Sequence, residues 1–298
     1  MEIYDFFCIG NISIDIIRTP SEETTFTGGA ILNAVWVLYQ LGYNVGVLTK
    51  SSLNDKFRLK DFPSFSSTKQ IKWIESRNTT SILNDYQTDD KERRICTNLS
   101  QADQFNLNEI PKFEAKIIMY NGLITGEINS EILKMLSKKG KLVVDAQGLT
   151  RKVMPTNNMK LIPYENLREL MPYIHYFKAD AAEAEILTGI HTDSHKGRMI
   201  AAKKLQEMGA KEVLISHNSE FIVVSDKKEV WVPFKNRNLN GRTGRGDTCT
   251  AAYVSERINK DMEQAALFSA ALTSLKIENP GPFKKSRAEV AKFLKKFY

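Results

Sequence analysis

Apolar residues recur along this chain in two rhythms, and each rhythm predicts an element. Ile3 to Ile9 is a short apolar run that ends at Gly10-Asn11, and Ile12, Ile14 and Ile16 then alternate with polar positions. Together they predict one first strand that runs into Gly10-Asn11 and continues through Ile12, Ile14 and Ile16. After Gly28-Gly29 the spacing changes: Ile31, Val35, Leu38 and Leu41 fall on one helical face, and Gly42 stops it. Asn44 to Lys50 predicts the next strand. Strand, glycine turn, helix, strand is the pattern of a right-handed βαβ unit.

From Ile71 to Leu99 the character differs. Ile71, Trp73 and Ile82 lie in β-prone stretches separated by polar residues, with a turn expected at Thr88-Asp89-Asp90. A hairpin or small sheet with one open face is predicted, and both an edge hairpin and a lid over a site fit that pattern. Strand-helix alternation then returns. Lys116 to Tyr120 and Lys141 to Asp145 are predicted strands around a helix from Ser130 to Lys138. His175 to Lys178 is a strand feeding a helix from Ala181 to Leu187 that ends at Gly189, and Arg198 to Met208 is a helix ending at Gly209. Strands follow at Glu212 to Ser216, Phe221 to Val224 and Val230 to Val232, then helices at Thr248 to Ile258 and Met262 to Lys276. Near the end, Val290, Phe293, Leu294 and Phe297 make an amphipathic helix whose lysines face solvent.

Composition narrows the class. The chain has 298 residues, 42% hydrophobic and 26% charged, enough to bury a large α/β core. No apolar run approaches the roughly 18 residues of a membrane helix, and the first residues lack a signal-peptide pattern. Cys8, Cys96 and Cys249 are odd in number and far apart, so reduced thiols and a cytoplasmic location are expected. His191 and His195 fall in a loop-like stretch with Gly189, Thr192 and Asp193, so a solvated pair is expected there in place of a metal site. A net charge of +7 suits anionic small molecules, whereas a nucleic-acid face would need clustered basic residues interleaved with aromatics.

The densest chemistry lies at Gly241-Arg242-Thr243-Gly244-Arg245-Gly246-Asp247-Thr248. It matches the phosphate loop G-x-x-x-x-G-K-[ST] except that Asp247 stands where lysine belongs. The glycines suit a backbone wrapped around an anion at the start of a helix. A carboxylate there does not neutralise phosphate, but it accepts a proton from a hydroxyl attacking phosphorus. Alternatively, Asp247 simply caps the helix.

That loop resembles the C-terminal signature of the ribokinase-like (PfkB) carbohydrate kinase family, and Gly28-Gly29 with Asn33 resembles its N-terminal signature, G-G-x-x-x-N. Gly10-Asn11 with Asp15 is similar to the family's first substrate strand, and Asp180-Ala181-Ala182-Glu183 to its N-x-x-E motif. The matches lie in the family's order and span nearly the whole chain. The resemblance implies an α/β three-layer sandwich over residues 1–298, with a mostly parallel central sheet and a small β lid formed by about residues 11–26 and 71–100. It implies Asp247 as base, and Gly244, Arg245 and Gly246 as the anion hole. Asn11, Asp15, Gly28, Gly29 and Asn33 would then hold the acceptor. Asp180, Ser216, Asn218, Thr243 and Asn279 would bind the nucleotide, and Glu183 would organise Mg²⁺ through water. ATP and Mg²⁺ are the implied cofactors.

Three departures matter. Asp180 replaces the family's asparagine, Ser216-His217-Asn218 stands at its T-x-G turn, and Arg245 replaces the commoner alanine. The expected reaction is ATP-dependent phosphorylation of a hydroxyl on a sugar, cyclic polyol or nucleoside. A pyridoxal or hydroxymethylpyrimidine kinase is the alternative within the fold, and a non-catalytic ligand sensor the alternative outside enzymes. Expected partners are the acceptor and ATP, with no nucleic acid or membrane, and a homodimer through the lid is compatible with its exposed face.

Overall fold

The computed structural model describes residues 2–65, 70–86 and 94–298, with the side chain of Arg94 excepted. The turn expected at Thr88-Asp89-Asp90 lies outside the described residues. In chain order the first strands are β1 (Glu2–Ile9), β2 (Ser13–Arg18) and β3 (Glu23–Gly28), followed by helix α1 (Ala30–Gln40) and β4 (Val45–Ser51). Strands β5 (Ile71–Glu75), β6 (Thr80–Tyr86), β7 (Arg94–Ser100) and β8 (Phe113–Tyr120) precede α2 (Ser130–Ser137), β9 (Lys141–Asp145) and α3 (Gln147–Thr150). A short hairpin of β10 (Arg151–Val153) and β11 (Met159–Leu161) leads through α4 (Leu167–Leu170) to β12 (Tyr176–Asp180). Then come α5 (Ala181–Thr188), α6 (His195–Gln206), β13 (Glu212–Ser216), β14 (Glu220–Ser225) and β15 (Glu229–Pro233). Helices α7 (Arg245–Glu256), α8 (Met262–Ile277) and α9 (Arg287–Phe297) close the chain.

A nine-stranded sheet in the order β15-β14-β13-β12-β9-β8-β1-β4-β5 forms the middle layer. It is parallel from β13 to β5, and β14 and β15 add antiparallel at one edge. Strands buried on both faces alternate their side chains between two cores. Phe6 and Cys8 face one core and Phe7 and Ile9 the other, and Leu214 opposes Val213 and Ile215 in the same way. The first core is covered by α1, α7, α8 and α9, and the second by α2, α4, α5 and α6. Each fully buried large apolar side chain contributes about 1.5–3 kcal/mol. The α/β architecture is therefore three layers.

The small sheet departs from its predicted bounds. Its order is β3-β2-β6-β7, so its strands comprise residues 13–18, 23–28, 80–86 and 94–100. Ile71–Glu75, expected in this unit, instead pairs in parallel with β4 as the edge of the main sheet. Alternating polarity there reflects an edge strand with one half-covered face. The helix predicted from Arg198 begins earlier, at His195, because the Ser194 side chain accepts the Gly197 N–H and caps it. His195 is bonded to Glu220 at 2.9 Å while His191 lies 3.4 Å from Glu185, so the two histidines serve separate carboxylates.

Candidate active site

The carboxyl ends of the parallel strands open onto one cavity of about 260 Å³, where ligands of open α/β sheets bind. Two helices begin there at glycines. Gly29, at φ 113°, precedes α1, and Gly244, at φ 77°, precedes α7. These helices pack side by side in the first core, which brings their N-terminal ends together. Asn33 on α1 and Asp247 on α7 meet as a result: Asn33 Nδ2 donates to Asp247 Oδ2 at 3.3 Å. Gly244 is required at this junction, since a Cβ would also lie 2.5 Å from the Asn33 amide.

Asp247 is surrounded by charge. Burial and the neighbouring Asp145 push its carboxyl up to about 6, against the opposing pull of Lys178 and the Asn33 hydrogen bond. A carboxyl poised there is ionised at neutral pH and is still basic enough to take a proton.

Asp15 and Asn84 from the small sheet also line the cavity, together with Gly29 and Asn33 at the start of α1. Asp15 is held by the Ser13 hydroxyl at 2.6 Å, and a Cβ on Gly28 would lie 2.2 Å from its carboxyl. Gly28 thus makes room for Asp15. Asn11 is fully buried behind the cavity, beside Glu127. Burial raises Glu127 to about 7, and it accepts the Leu123 N–H at 2.8 Å.

On the opposite side, Asp180, Ser216, Asn218, Thr243, Gly244, Arg245 and Gly246 line the cavity. The Asn218 Oδ1 accepts from Arg242 at 3.3 Å and also from Arg245. Ser216 Oγ is buried with no hydrogen-bond partner among the described residues. Asn279 lies outside the cavity: its carbonyl packs against Gly241, where a Cβ would come within 1.9 Å. Arg237 clamps Glu278 with two guanidinium nitrogens, tying the segment before the loop to the end of α8.

Glu183, expected to organise a metal through water, does not line the cavity. It is 1% exposed, accepts the Asp180 N–H at 2.7 Å, and stands 3.5 Å from the Lys178 ammonium. Asp180 returns the bond by accepting the Glu183 N–H, so the D-x-x-E motif is a capping box for α5. Burial and Asp180 raise the Glu183 carboxyl, with Lys178 opposing. Among the described residues no group of three or more His, Cys, Asp or Glu side chains is arranged to hold a metal ion.

Sequence reasoning missed Lys178. Its Nζ bonds Asp145 at 3.1 Å and lies 3.0 Å from where a Cβ on Gly246 would be, directly against the glycine loop. Burial works against its charge, but Asp145, Glu183, Asp180 and Asp247 outweigh that, and its pKa is raised. A signal was present, a lone lysine inside the apolar strand Tyr176-Phe177-Lys178-Ala179. Arg242, Gln147 and Arg151 also line the cavity; Arg151 reaches Gln147 at 2.8 Å across α3, which β9 delivers to the site.

Among the described residues, no helix is long and apolar enough to cross a membrane. The family model for pfkB family carbohydrate kinases matches residues 5–287. No curated protein matches the chain. Among solved structures, a pyrophosphate-dependent kinase in the ribokinase family, in a sulfate complex, is 30% identical with a TM-score of 0.84. That alignment covers 96% of this chain and 99% of the other. A pyrophosphate-dependent kinase of that family bound to a pyrophosphate analog and myo-inositol is 29% identical over the same shares, with a TM-score of 0.83. Arabidopsis thaliana ribokinase with ribose and ATP shares the fold at 20% identity and a TM-score of 0.75, covering 99% of each chain. Such enzymes transfer a phosphoryl group to an alcohol, and this chain belongs to the pfkB family of carbohydrate kinases.

Proposed function

We propose that this kinase transfers a phosphoryl group from inorganic pyrophosphate to a hydroxyl of a cyclic polyol of the inositol class. The observation that carries the reading is the Asn33–Asp247 contact, which joins the acceptor end and the phosphate end of one cavity. The acceptor lies between Asp15, Asn33 and the small sheet, where carboxylate and amide groups suit a ring of hydroxyls. Asp247 takes the proton of the attacking hydroxyl. The hydroxyl oxygen bonds to phosphorus, the bridging P–O bond breaks, and inorganic phosphate leaves. The Gly244–Gly246 amides and the start of α7 take up charge on the transferred group, and Lys178 supplies an ammonium below them. No step is routed through a metal ion.

Pyrophosphate is favoured over ATP by three observations. Arg242 and Arg245 converge on Asn218 in the cavity that Lys178 also lines, a cationic lining for a compact anion. The Asn279 segment, expected to border a nucleotide, packs on the loop and is tied by Arg237 and Glu278. The relatives at 29% and 30% identity are pyrophosphate-dependent. The test is turnover with each donor, supplied with Mg²⁺, over myo-inositol, ribose, nucleosides and pyridoxal, read as product mass. Pyrophosphate with myo-inositol is expected to give the highest kcat/KM. Turnover with ATP alone would overturn the donor, and turnover of pyridoxal alone the acceptor. Ligand binding without product under every pairing would leave a sensor.

A further inference from the structure

The loop that carries the anion hole is held from behind by a lysine outside every motif. Lys276, in the last turn of α8, is 3% exposed, and its Nζ donates to the Gly241 carbonyl at 2.7 Å and to the Thr243 carbonyl. The Gly241 N–H donates to the Ile277 carbonyl at 2.7 Å, so the loop is zipped to the end of α8 at two adjacent residues. The Arg245 N–H then donates to the Arg242 carbonyl at 3.2 Å, closing the turn into Gly244. Two backbone carbonyls aimed at one buried point repel each other unless a cation stands between them, as in the carbonyl rings that coordinate alkali ions. We propose that Lys276 is a positioning residue whose tethered ammonium sets the anion hole by holding these two carbonyls, so that the enzyme needs no dissolved monovalent cation. A merely apolar plug does not account for an ammonium there, because an uncompensated charge at such burial is costly. Lys276 does not line the cavity, so it acts through Gly244–Gly246 and not on substrate.

This inference rests on the phosphoryl-transfer reading, and its test is separable from it. Turnover by the unaltered enzyme tests the reaction, whereas only comparisons among salts and variants bear on Lys276. The unaltered enzyme is expected to give the same kcat/KM in sodium, potassium and tetramethylammonium buffers. Lys276→Ala is expected to lose on the order of 10²-fold in kcat/KM, the cost of mispositioning a charge-stabilising group by about an ångström. Ammonium, methylammonium or potassium should restore several-fold, while Lys276→Met, which fills the stem space, should stay low and gain nothing. Calorimetric binding of pyrophosphate gives the same comparison without turnover. A monovalent-cation requirement in the unaltered enzyme would overturn the proposal without any variant. So would full activity in Lys276→Ala, or a folded Lys276→Ala that no small cation improves in either turnover or binding.

Discussion

At the scale of single residues, Asp247 stands where a G-K-[ST] loop carries its lysine and is the base in the proposed reaction, while the ammonium against the loop comes from Lys178 on another element. Asp247→Asn keeps the bond to Asn33 within reach but removes the base, so kcat should fall about 10²- to 10⁴-fold in steady-state assays with pyrophosphate binding retained. The pH dependence has a definite sign. A base works only when ionised, so kcat/KM should rise with pH through about 6 and level off above it, and Asp247→Asn should remove that acid limb. Stability runs the other way. The folded carboxyl binds protons up to about pH 6 and the unfolded one only to about 3.8, so its contribution falls as pH rises between these values. Asp247→Asn should therefore raise Tm at pH 7 while lowering turnover, a trade-off that calorimetry and kinetics measure together. Lys178→Met should weaken pyrophosphate binding and lower kcat, because it withdraws the ammonium nearest the loop.

At the scale of elements, the site exists because two helices start beside each other. Their order of events is local: a glycine at positive φ frees the chain to turn, and the helix then grows with its amides aimed into the cavity. Gly244→Ala would place a methyl 2.5 Å from Asn33 and force a left-handed alanine, costing about 1–2 kcal/mol. Turnover should drop on the order of 10²-fold with circular dichroism unchanged. The motif at Asp180 is a different case. Expected as a metal or nucleotide element, it lines the cavity through Asp180 and also caps α5, so Asp180→Ala should cost about 1 kcal/mol in urea unfolding.

At the scale of the whole molecule, the nine-stranded sheet is a fixed floor and the four-stranded sheet of β2, β3, β6 and β7 is a separate wall of the cavity. Asp15 and Asn84 belong to that wall, Lys178 and Ser216 to the floor, and Asp247 to α7, which packs on it. Phosphoryl transfer depends on alignment of both groups, so acceptor binding should draw the wall toward the floor. Amide exchange in β2 and β6 should then slow when myo-inositol and pyrophosphate are bound, with β9 and β13 unchanged.

Element order was legible because buried strands and amphipathic helices write different periods into the chain, and the glycine loops mark where helices begin. The phosphate loop and the Gly28-Gly29 pair could be read the same way, since only glycine tolerates the positive φ at Gly29 and Gly244 and the close approaches at Gly28 and Gly241. Sheet membership could not. Ile71–Glu75 and Thr80–Tyr86 carry similar β patterns, and hydrogen bonding to β4 or to β2 is a non-local choice. Lys178 and Lys276 were hidden for the same reason. Each sits alone in an apolar stretch, and its partners come from elsewhere in the chain. The sequence by itself determined which local conformations were possible and where a base stood among glycines. Only tertiary packing brought Asn33 to Asp247 across 214 residues and placed an ammonium against the loop that lacks one, because strand register and helix pairing set those distances.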